Sequence, residues 1–228
     1  MNFEYYYNNV PNVGKCRNNL IYTSLINTDQ TVFVKHYVND TRYHLGQNQV
    51  VDPDKMDEKW QRELKYLQLM HCAYPELVPK ILDIDKTARK IYLLIDGVDF
   101  WQRSLDNQSS FDEVLPDWQS QMLDIIRAHK SLGLHKYSMH PSSYFIVNKK
   151  LKSINYFFTY HDSEPNISIS EVESHIYTTR QAEMRKHIES LGIDWSTAQS
   201  WDTMDQLCWA SFSNNYPQEF IERVKCIL

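Results

Sequence analysis

A chain of 228 residues with 42% hydrophobic and 23% charged residues has the composition of a folded protein and not of a disordered one. Its net charge is −5, with both signs spread along the sequence, so the basic patch that binds nucleic acid is not expected. No run approaches the roughly 18 apolar residues of a membrane span, and the polar, aromatic amino terminus has no signal-peptide pattern. We therefore expect a cytoplasmic protein that binds neither membranes nor nucleic acid.

The first third of the chain predicts strands and one helix. Two β-rich runs, 20–26 and 31–38, flank the turn cluster 27–30 and predict an antiparallel hairpin. The polar segment 39–53 is predicted to loop out. Apolar residues then recur at intervals of three and four, which predicts a helix that two prolines bring to an end. The apolar stripe consists of Trp60, Leu64, Leu67 and Met70.

A second hairpin and a lobe boundary follow. The apolar segments 81–84 and 91–95 are separated by the polar turn 85–90, which predicts another pair of strands. Asp96, Gly97, Val98 and Asp99 come directly afterwards, and the glycine indicates a hinge-like break. We predict that the chain divides here into an amino-terminal lobe, 1–98, and a carboxyl-terminal lobe, 99–228.

The second lobe is predicted to be mostly helical. Strands at 145–147 and 153–158 would form a hairpin among helices, and further helices are predicted at 171–191, 202–212 and 218–227. The aromatic residues near the end are expected mainly in the core, although exposed ones could anchor a partner. The first helix of this lobe should bury Trp118, Met122, Ile125, Ile126 and His129. The late aromatic residues are Trp195, Trp201, Trp209, Phe212 and Tyr216.

The segment after the Trp118 helix is the most informative part of the sequence. In protein kinases a helix ending in Leu-His-Ser-x-Gly leads into His-Arg-Asp-Leu-Lys-Pro-x-Asn, then an apolar strand, and then a strand that ends in Asp-Phe-Gly. Aligned on Gly133, the catalytic Asp falls on Ser138 and the metal-binding Asn falls on Ser143. Pro141 keeps its place, and Asn155 stands where the Asp of Asp-Phe-Gly would be.

On these residues the chain resembles the protein-kinase-like superfamily, in a small form similar to the compact atypical kinases of microbes and phages. The resemblance covers about 20–158. It implies an α+β fold with two lobes, in which a small antiparallel-sheet lobe with one helix is followed by a mostly helical lobe. It also implies a nucleotide cleft between the lobes.

The resemblance implies nucleotide-binding residues in the first lobe. Lys35 ends a Val-Phe-Val-Lys strand like the one whose lysine contacts the α- and β-phosphates, and Glu63 resembles its helical partner. Asp96 and Val98 occupy the segment between the lobes. The phosphate-covering loop is weakly represented, because 13–18 has a single glycine and predicts an ordinary turn. Lys15 and Arg17 could still attract phosphate there.

The resemblance also implies that the catalytic groups are missing. Ser138 is no base near neutral pH without an activator, for which His135 or His140 is close in sequence. Ser143 and Asn155 are neutral replacements for metal ligands, so we expect no metal. Asp162 or Glu164 could supply a displaced carboxylate.

We therefore expect a pseudokinase that acts through a protein partner, as a scaffold, decoy or allosteric regulator, with ATP bound without metal or not at all. One alternative is an active atypical phosphotransferase with migrated catalytic residues, and another is a structural or assembly protein on a kinase-like fold. The composition also suggests a viral or phage source. The sequence leaves the oligomeric state open.

Overall fold

The computed structural model describes residues 15–17, 21–27, 31–37, 53–107, 110–173 and 178–228. The glycine of the weak phosphate loop, the turn residues 28–30 and most of the predicted loop 39–53 lie outside this part of the chain. None of the described helices has both the length and the hydropathy of a membrane-spanning helix. The described elements make a mixed α and β fold with small antiparallel sheets.

The described strands are all short. In chain order they are β1 (Lys15–Arg17), β2 (Ile21–Asn27), β3 (Thr31–Tyr37), β4 (Lys80–Asp85), β5 (Lys90–Leu94), β6 (Gly97–Asp99), β7 (Leu134–Lys136), β8 (Tyr144–Val147), β9 (Lys150–Ser153) and β10 (Thr159–His161).

The described α-helices range from a single turn to more than five turns. In chain order they are α1 (Pro53–Ala73), α2 (Phe100–Asn107), α3 (Phe111–Val114), α4 (Trp118–Ser131), α5 (Ile169–Glu173), α6 (Thr178–Leu191), α7 (Trp201–Ser211) and α8 (Gln218–Lys225). The predicted helix 171–191 corresponds to α5 and α6, and residues 174–177 between them lie outside the described ranges.

The chain divides into two units. The first unit takes the chain as far as Asp99 and also contains Tyr144–Phe157, whereas the second consists of Phe100–Ser143 and Phe158–Leu228. The hairpin of β8 and β9 therefore belongs to the first unit, although the sequence-based division placed it in the second lobe. The reason is strand pairing, because β6 and β8 are hydrogen-bonded neighbours in one sheet.

The first unit is built around a five-stranded antiparallel sheet with the order β1-β2-β3-β5-β4. Both hairpins predicted in this region are confirmed. Strand β3 lies in the middle of the sheet, and its residues from Val32 to Val34 are buried. The predicted apolar stripe of α1 is also confirmed, since Trp60, Leu64, Leu67 and Met70 are all buried.

The hairpin after Pro141 differs from its prediction. Its second strand is β9, and the segment predicted as strand at 153–158 instead contains the last residue of β9 and a non-strand stretch that ends just before β10. The connection is a two-residue turn in which Asn148 and Lys149 both have positive φ, at 50° and 60°. Such a turn matches the twist of two adjacent strands, so pairing begins at once on both sides of it.

Gly97, the glycine of the predicted lobe boundary, lies in a strand. It begins β6, where it is paired with Val147 of β8. A Cβ on Gly97 would collide with the Ile146 backbone carbonyl. Glycine is therefore needed here for close approach of two strands.

The second unit has an aromatic core around Trp118, the first residue of α4. The Trp118 ring contacts Phe220 at 4.7 Å and Phe111 at 5.2 Å between ring centroids. The Tyr216 hydroxyl donates a 2.6 Å hydrogen bond to the Met139 carbonyl, which attaches the end of the chain to the segment after β7. The predicted buried face of α4 is confirmed.

Most of the late aromatic residues belong to this core. Trp201, Trp209, Phe212 and Tyr216 are buried, whereas Trp195 is half-buried beside Arg185. The predicted helices 202–212 and 218–227 correspond to α7 and α8. Strand β7 pairs with β10, which places the segment after Gly133 next to the segment after Phe158.

Candidate functional site

The first unit contains a buried ion pair between Lys35 of β3 and Glu63 of α1. The Lys35 Nζ atom lies 2.6 Å from Glu63 Oε1, and neither side chain is exposed. The structure thus brings together the two residues that the kinase resemblance paired. An ion pair without solvent is stable only when further hydrogen bonds satisfy its remaining donors and acceptors.

Glu63 accepts two further hydrogen bonds. The Tyr37 hydroxyl donates to Glu63 Oε2 at 2.9 Å, and the Tyr156 backbone N–H donates to the same oxygen at 2.6 Å. Each carboxylate oxygen is therefore engaged, so the charge of this buried group is compensated on both sides.

Asn155 completes this arrangement on the lysine side. The Lys35 ammonium donates a 3.0 Å hydrogen bond to the Asn155 side-chain oxygen. Asn155 has a φ of 67°, in the left-handed region where asparagine is several-fold enriched among residues other than glycine. The Phe157 ring lies 5.4 Å from Lys35 Nζ, close enough for a cation–π contact. We call Lys35, Tyr37, Glu63 and Asn155 the lysine cluster.

Local sequence explains why these side chains meet. Lys35 and Tyr37 are two residues apart on one strand and share a face of the sheet. Glu63 follows Trp60 by three residues, so it lies on the buried stripe of α1, and the Trp60 and Tyr37 rings contact each other at 5.6 Å. Tyr37 was not predicted as a site residue, although the two-residue strand period places it on the same face of the strand as Lys35.

The lysine cluster holds one positive and one negative charge. Burial raises the pKa of Tyr37 well above its ordinary value, and the adjacent Glu63 carboxylate raises it further. The phenol therefore stays protonated and remains a hydrogen-bond donor. Asn155 contributes an amide oxygen without charge. Chemically, the cluster can fix a helix to a sheet and to the segment after β9, but it presents one carboxylate only, and that carboxylate is already bound.

The other predicted nucleotide-binding residues, Asp96 and Val98, do not share the burial of the lysine cluster. Asp96 is exposed and directly precedes β6, and Val98, in β6 where it pairs with Ile146 of β8, is 43% exposed. Lys15 and Arg17 belong to β1, where they pair opposite Thr23 and Ile21 of β2. The described part of the predicted phosphate loop is thus a strand, not a turn.

The remaining positions of the kinase pattern lie in the second unit. Ser138 is buried, and its hydroxyl has no hydrogen-bond partner within the described residues. Ser143 ends a short 3-10 turn, Pro141–Ser143, and its backbone N–H donates to the His140 carbonyl at 2.8 Å. Both positions carry uncharged side chains, as the alignment implies.

The residues considered as substitutes for the missing groups have other partners. His140 Nδ1 lies 2.9 Å from the Ser142 hydroxyl. His135 contacts Asp162 through Nε2 at 2.6 Å and Asp205 through Nδ1 at 2.8 Å. Glu164 accepts a hydrogen bond from the His161 backbone N–H at 3.1 Å. The contacts of these groups hold the second unit together, and none of them involves the Ser138 hydroxyl.

In the described ranges, no three His, Cys, Asp or Glu side chains are arranged to hold a metal ion. No protein-family model matches the chain, and no curated protein matches it at a significant level.

Proposed function

We propose that this protein has a degenerate two-lobed kinase-like fold, transfers no phosphate, and acts by binding another protein. The observation that carries the proposal is the hydrogen bond from Lys35 to the neutral amide of Asn155. At this position the resemblance implies an aspartate that binds magnesium.

Metal chemistry supports this proposal. Magnesium is a hard cation that favours carboxylate oxygens, and an amide supplies no charge to offset its own. Phosphoryl transfer depends mainly on positioning and on the electrostatic effect of the metal. A chain with Asn155 and Ser143 at the two ligand positions therefore has little means of stabilising the charge of the transition state.

The burial of Lys35 supports the same conclusion. Its side chain has no exposed surface, and its ammonium is held by Glu63 and Asn155. A phosphate group could contact this ammonium only if the surrounding side chains moved apart. The lysine is thus suited to a structural role, in which it keeps α1 fixed on the sheet and preserves a surface for a partner.

The surroundings of Ser138 support the proposal that this protein has no catalytic base. A serine hydroxyl needs an adjacent base before it can accept a proton from a substrate hydroxyl. Both ring nitrogens of His135 face carboxylates, and the contacts of His140 described above are to Ser142. Loss of a positioned base alone lowers rates on the order of 10²–10⁴-fold.

The test is ATP turnover by the purified full chain, measured as γ-phosphate release and as transfer to a general protein substrate, with and without Mg²⁺. We expect rates equal to those of the Lys35→Met variant. Glu58→Gln is a matched control, since Glu58 is an exposed α1 carboxylate that pairs with Arg62. Turnover that requires Mg²⁺, survives Glu58→Gln and disappears in Lys35→Met would overturn the proposal.

A thermal-shift titration separates nucleotide binding from catalysis. ATP should raise the melting temperature equally with and without Mg²⁺, or not at all. A rise that appears only with Mg²⁺ would favour the active phosphotransferase instead.

A further inference from the structure

The second unit contains a histidine between two carboxylates. His135 lies on β7, Asp162 follows β10, and Asp205 lies on α7. The His135 Nδ1 atom is 2.8 Å from Asp205 Oδ2, and its Nε2 atom is 2.6 Å from Asp162 Oδ1. We call these three residues the His135 clasp.

Hydrogen-bond chemistry determines the charge of the clasp. An ionised carboxylate is only an acceptor, whereas a neutral imidazole has one N–H donor and one lone pair. Two short contacts to carboxylate oxygens therefore require a proton on each ring nitrogen. The Trp201 indole is stacked on the His135 ring at 4.6 Å with an interplanar angle of 10°, a geometry that also favours a cationic ring.

The two carboxylates differ in their exposure to water. The Asp205 side chain is 9% exposed, and the Asp162 side chain is 61% exposed. When the ring loses a proton, the remaining N–H is best directed at the buried carboxylate, because water cannot replace a lost partner there. Asp162 can instead be hydrated at little cost, so it is the contact that is given up.

We propose that the His135 clasp is a protonation-dependent contact. It attaches the turn after β10 to α7 while the imidazole is protonated, and the turn is released when the imidazole becomes neutral. The turn comprises residues 161–164. Gly133 positions it, because the Asp162 N–H donates to the Gly133 carbonyl at 3.0 Å, and a Cβ on Gly133 would stand 2.6 Å from Asp162 Oδ2.

The electrostatic surroundings favour the protonated form of His135 and therefore the closed state. Burial alone would lower the pKa of His135, but the hydrogen bonds and charges of Asp205 and Asp162 outweigh it and raise the pKa above its ordinary value. Burial raises the pKa of Asp205, against the opposing effects of His135 and Lys130. Further titratable groups around the clasp are Lys130 from α4, Asp202 from α7, Tyr160 and His161 on the β10 side, and Lys136 and Tyr137 beside His135 itself.

The direction of the pH effect follows from these shifts. A histidine whose folded pKa is raised stabilises the fold fully below its unfolded pKa, which is about 6.5, and loses this contribution as pH rises through the folded value. The clasp is therefore closed below about pH 6.5 and opens as pH rises through the raised pKa of His135. This inference does not depend on whether the protein is a pseudokinase.

Nitrogen-15 NMR of the imidazole rings in the full chain tests the charge. At pH 6.5 we expect His135 to show two protonated ring nitrogens, with a titration midpoint above that of free histidine. Asp162→Asn should lower the midpoint, because it removes the exposed negative charge. Asp124→Asn is the control, since Asp124 is an exposed carboxylate of α4 that pairs with Arg127 and should leave the midpoint unchanged.

Amide hydrogen exchange tests the release of the turn. After correction for the intrinsic effect of pH, exchange in 161–164 should increase severalfold as His135 loses its proton, and in Asp162→Asn it should already be fast at pH 6.5. A neutral His135 ring at pH 6.5, or exchange in this turn that does not change across the titration, would overturn the proposal.

Discussion

Lys35 and Asn155 are 120 residues apart in sequence, and the ammonium of the first donates a hydrogen bond to the side-chain oxygen of the second at 3.0 Å. This contact joins the central strand of the sheet to the segment that follows β9. Because the same ammonium also donates to Glu63 at 2.6 Å, one buried charge depends on three separate parts of the chain. The stability of the first unit should therefore be sensitive to each member of the lysine cluster.

Removing one partner of the buried ion pair should destabilise the first unit strongly. Lys35→Met and Glu63→Gln each leave the other residue buried without its main partner, which typically costs about 3–5 kcal/mol. The double variant should cost less than the sum of the two single variants. Urea unfolding, combined with peptide-resolved hydrogen exchange to assign the loss to this unit, measures these free energies.

Glu58→Gln provides the comparison for that cycle. Glu58 forms an i,i+4 pair with Arg62 on the exposed side of α1, and such surface pairs contribute about 0–1 kcal/mol. Equal losses in Glu58→Gln and Glu63→Gln, or additive losses in the double variant of the cluster, would contradict the structural role assigned to Lys35.

The backbone conformation and the side chain of Asn155 should contribute separately to the free energy of unfolding. Both Asn155→Ala and Asn155→Gly remove the hydrogen bond to Lys35, but only alanine is strained at a φ of 67°. The left-handed conformation costs a residue with a Cβ about 1–2 kcal/mol, so alanine should be less stable than glycine by about that amount. The measurement is again the free energy of unfolding in urea. If the two variants are equally stable, the backbone at this position is not left-handed in solution.

The sequence predicts the parts of this structure that depend on local patterns. The β2–β3 hairpin, the stripe of α1 and the buried face of α4 follow from periods of two and of three to four residues, and all three are present. The pairing of Lys35 with Glu63 came from the kinase resemblance.

Features that depend on distant partners were not predicted. Strand β10 has three residues and pairs with β7, so neither has a local pattern long enough to reveal it. His135 and Asp205 are 70 residues apart, and nothing near either residue indicates the other. The start of β9 was missed because its turn places a lysine, Lys149, in a positive-φ conformation that is usually taken by glycine or asparagine.

Ser138 should be replaceable by alanine without loss of stability. Its buried hydroxyl has no partner within the described residues, and an unsatisfied buried polar group typically costs about 1–3 kcal/mol. We therefore expect Ser138→Ala to keep or raise the free energy of unfolding of the second unit, measured by urea unfolding with peptide-resolved hydrogen exchange.

The matched control is Ser211→Ala. The buried Ser211 hydroxyl donates a 2.6 Å hydrogen bond to the Cys208 carbonyl, so its removal should cost about 1 kcal/mol. A Ser138→Ala variant that is destabilised as much as Ser211→Ala would mean that the Ser138 hydroxyl has a bonding partner, and would reopen the question of its chemical role.

His129 should make the second unit sensitive to acid. Burial lowers the pKa of this residue to about 3, and the nearby charge of Lys136 adds to the effect. In the unfolded chain it titrates near 6.5, so below that pH the unfolded state binds a proton that the folded state excludes. Stability should therefore fall by about 1.4 kcal/mol per pH unit, or about 3 kcal/mol between pH 6.5 and pH 4.

This slope is opposite in sign to that of His135, whose contribution is lost as pH rises. Urea unfolding at a series of pH values measures both effects. His129→Leu should remove only the loss of stability at acid pH, because leucine fills a similar volume without titrating. If the variant loses stability with the same slope below about pH 6.5, other groups cause that loss.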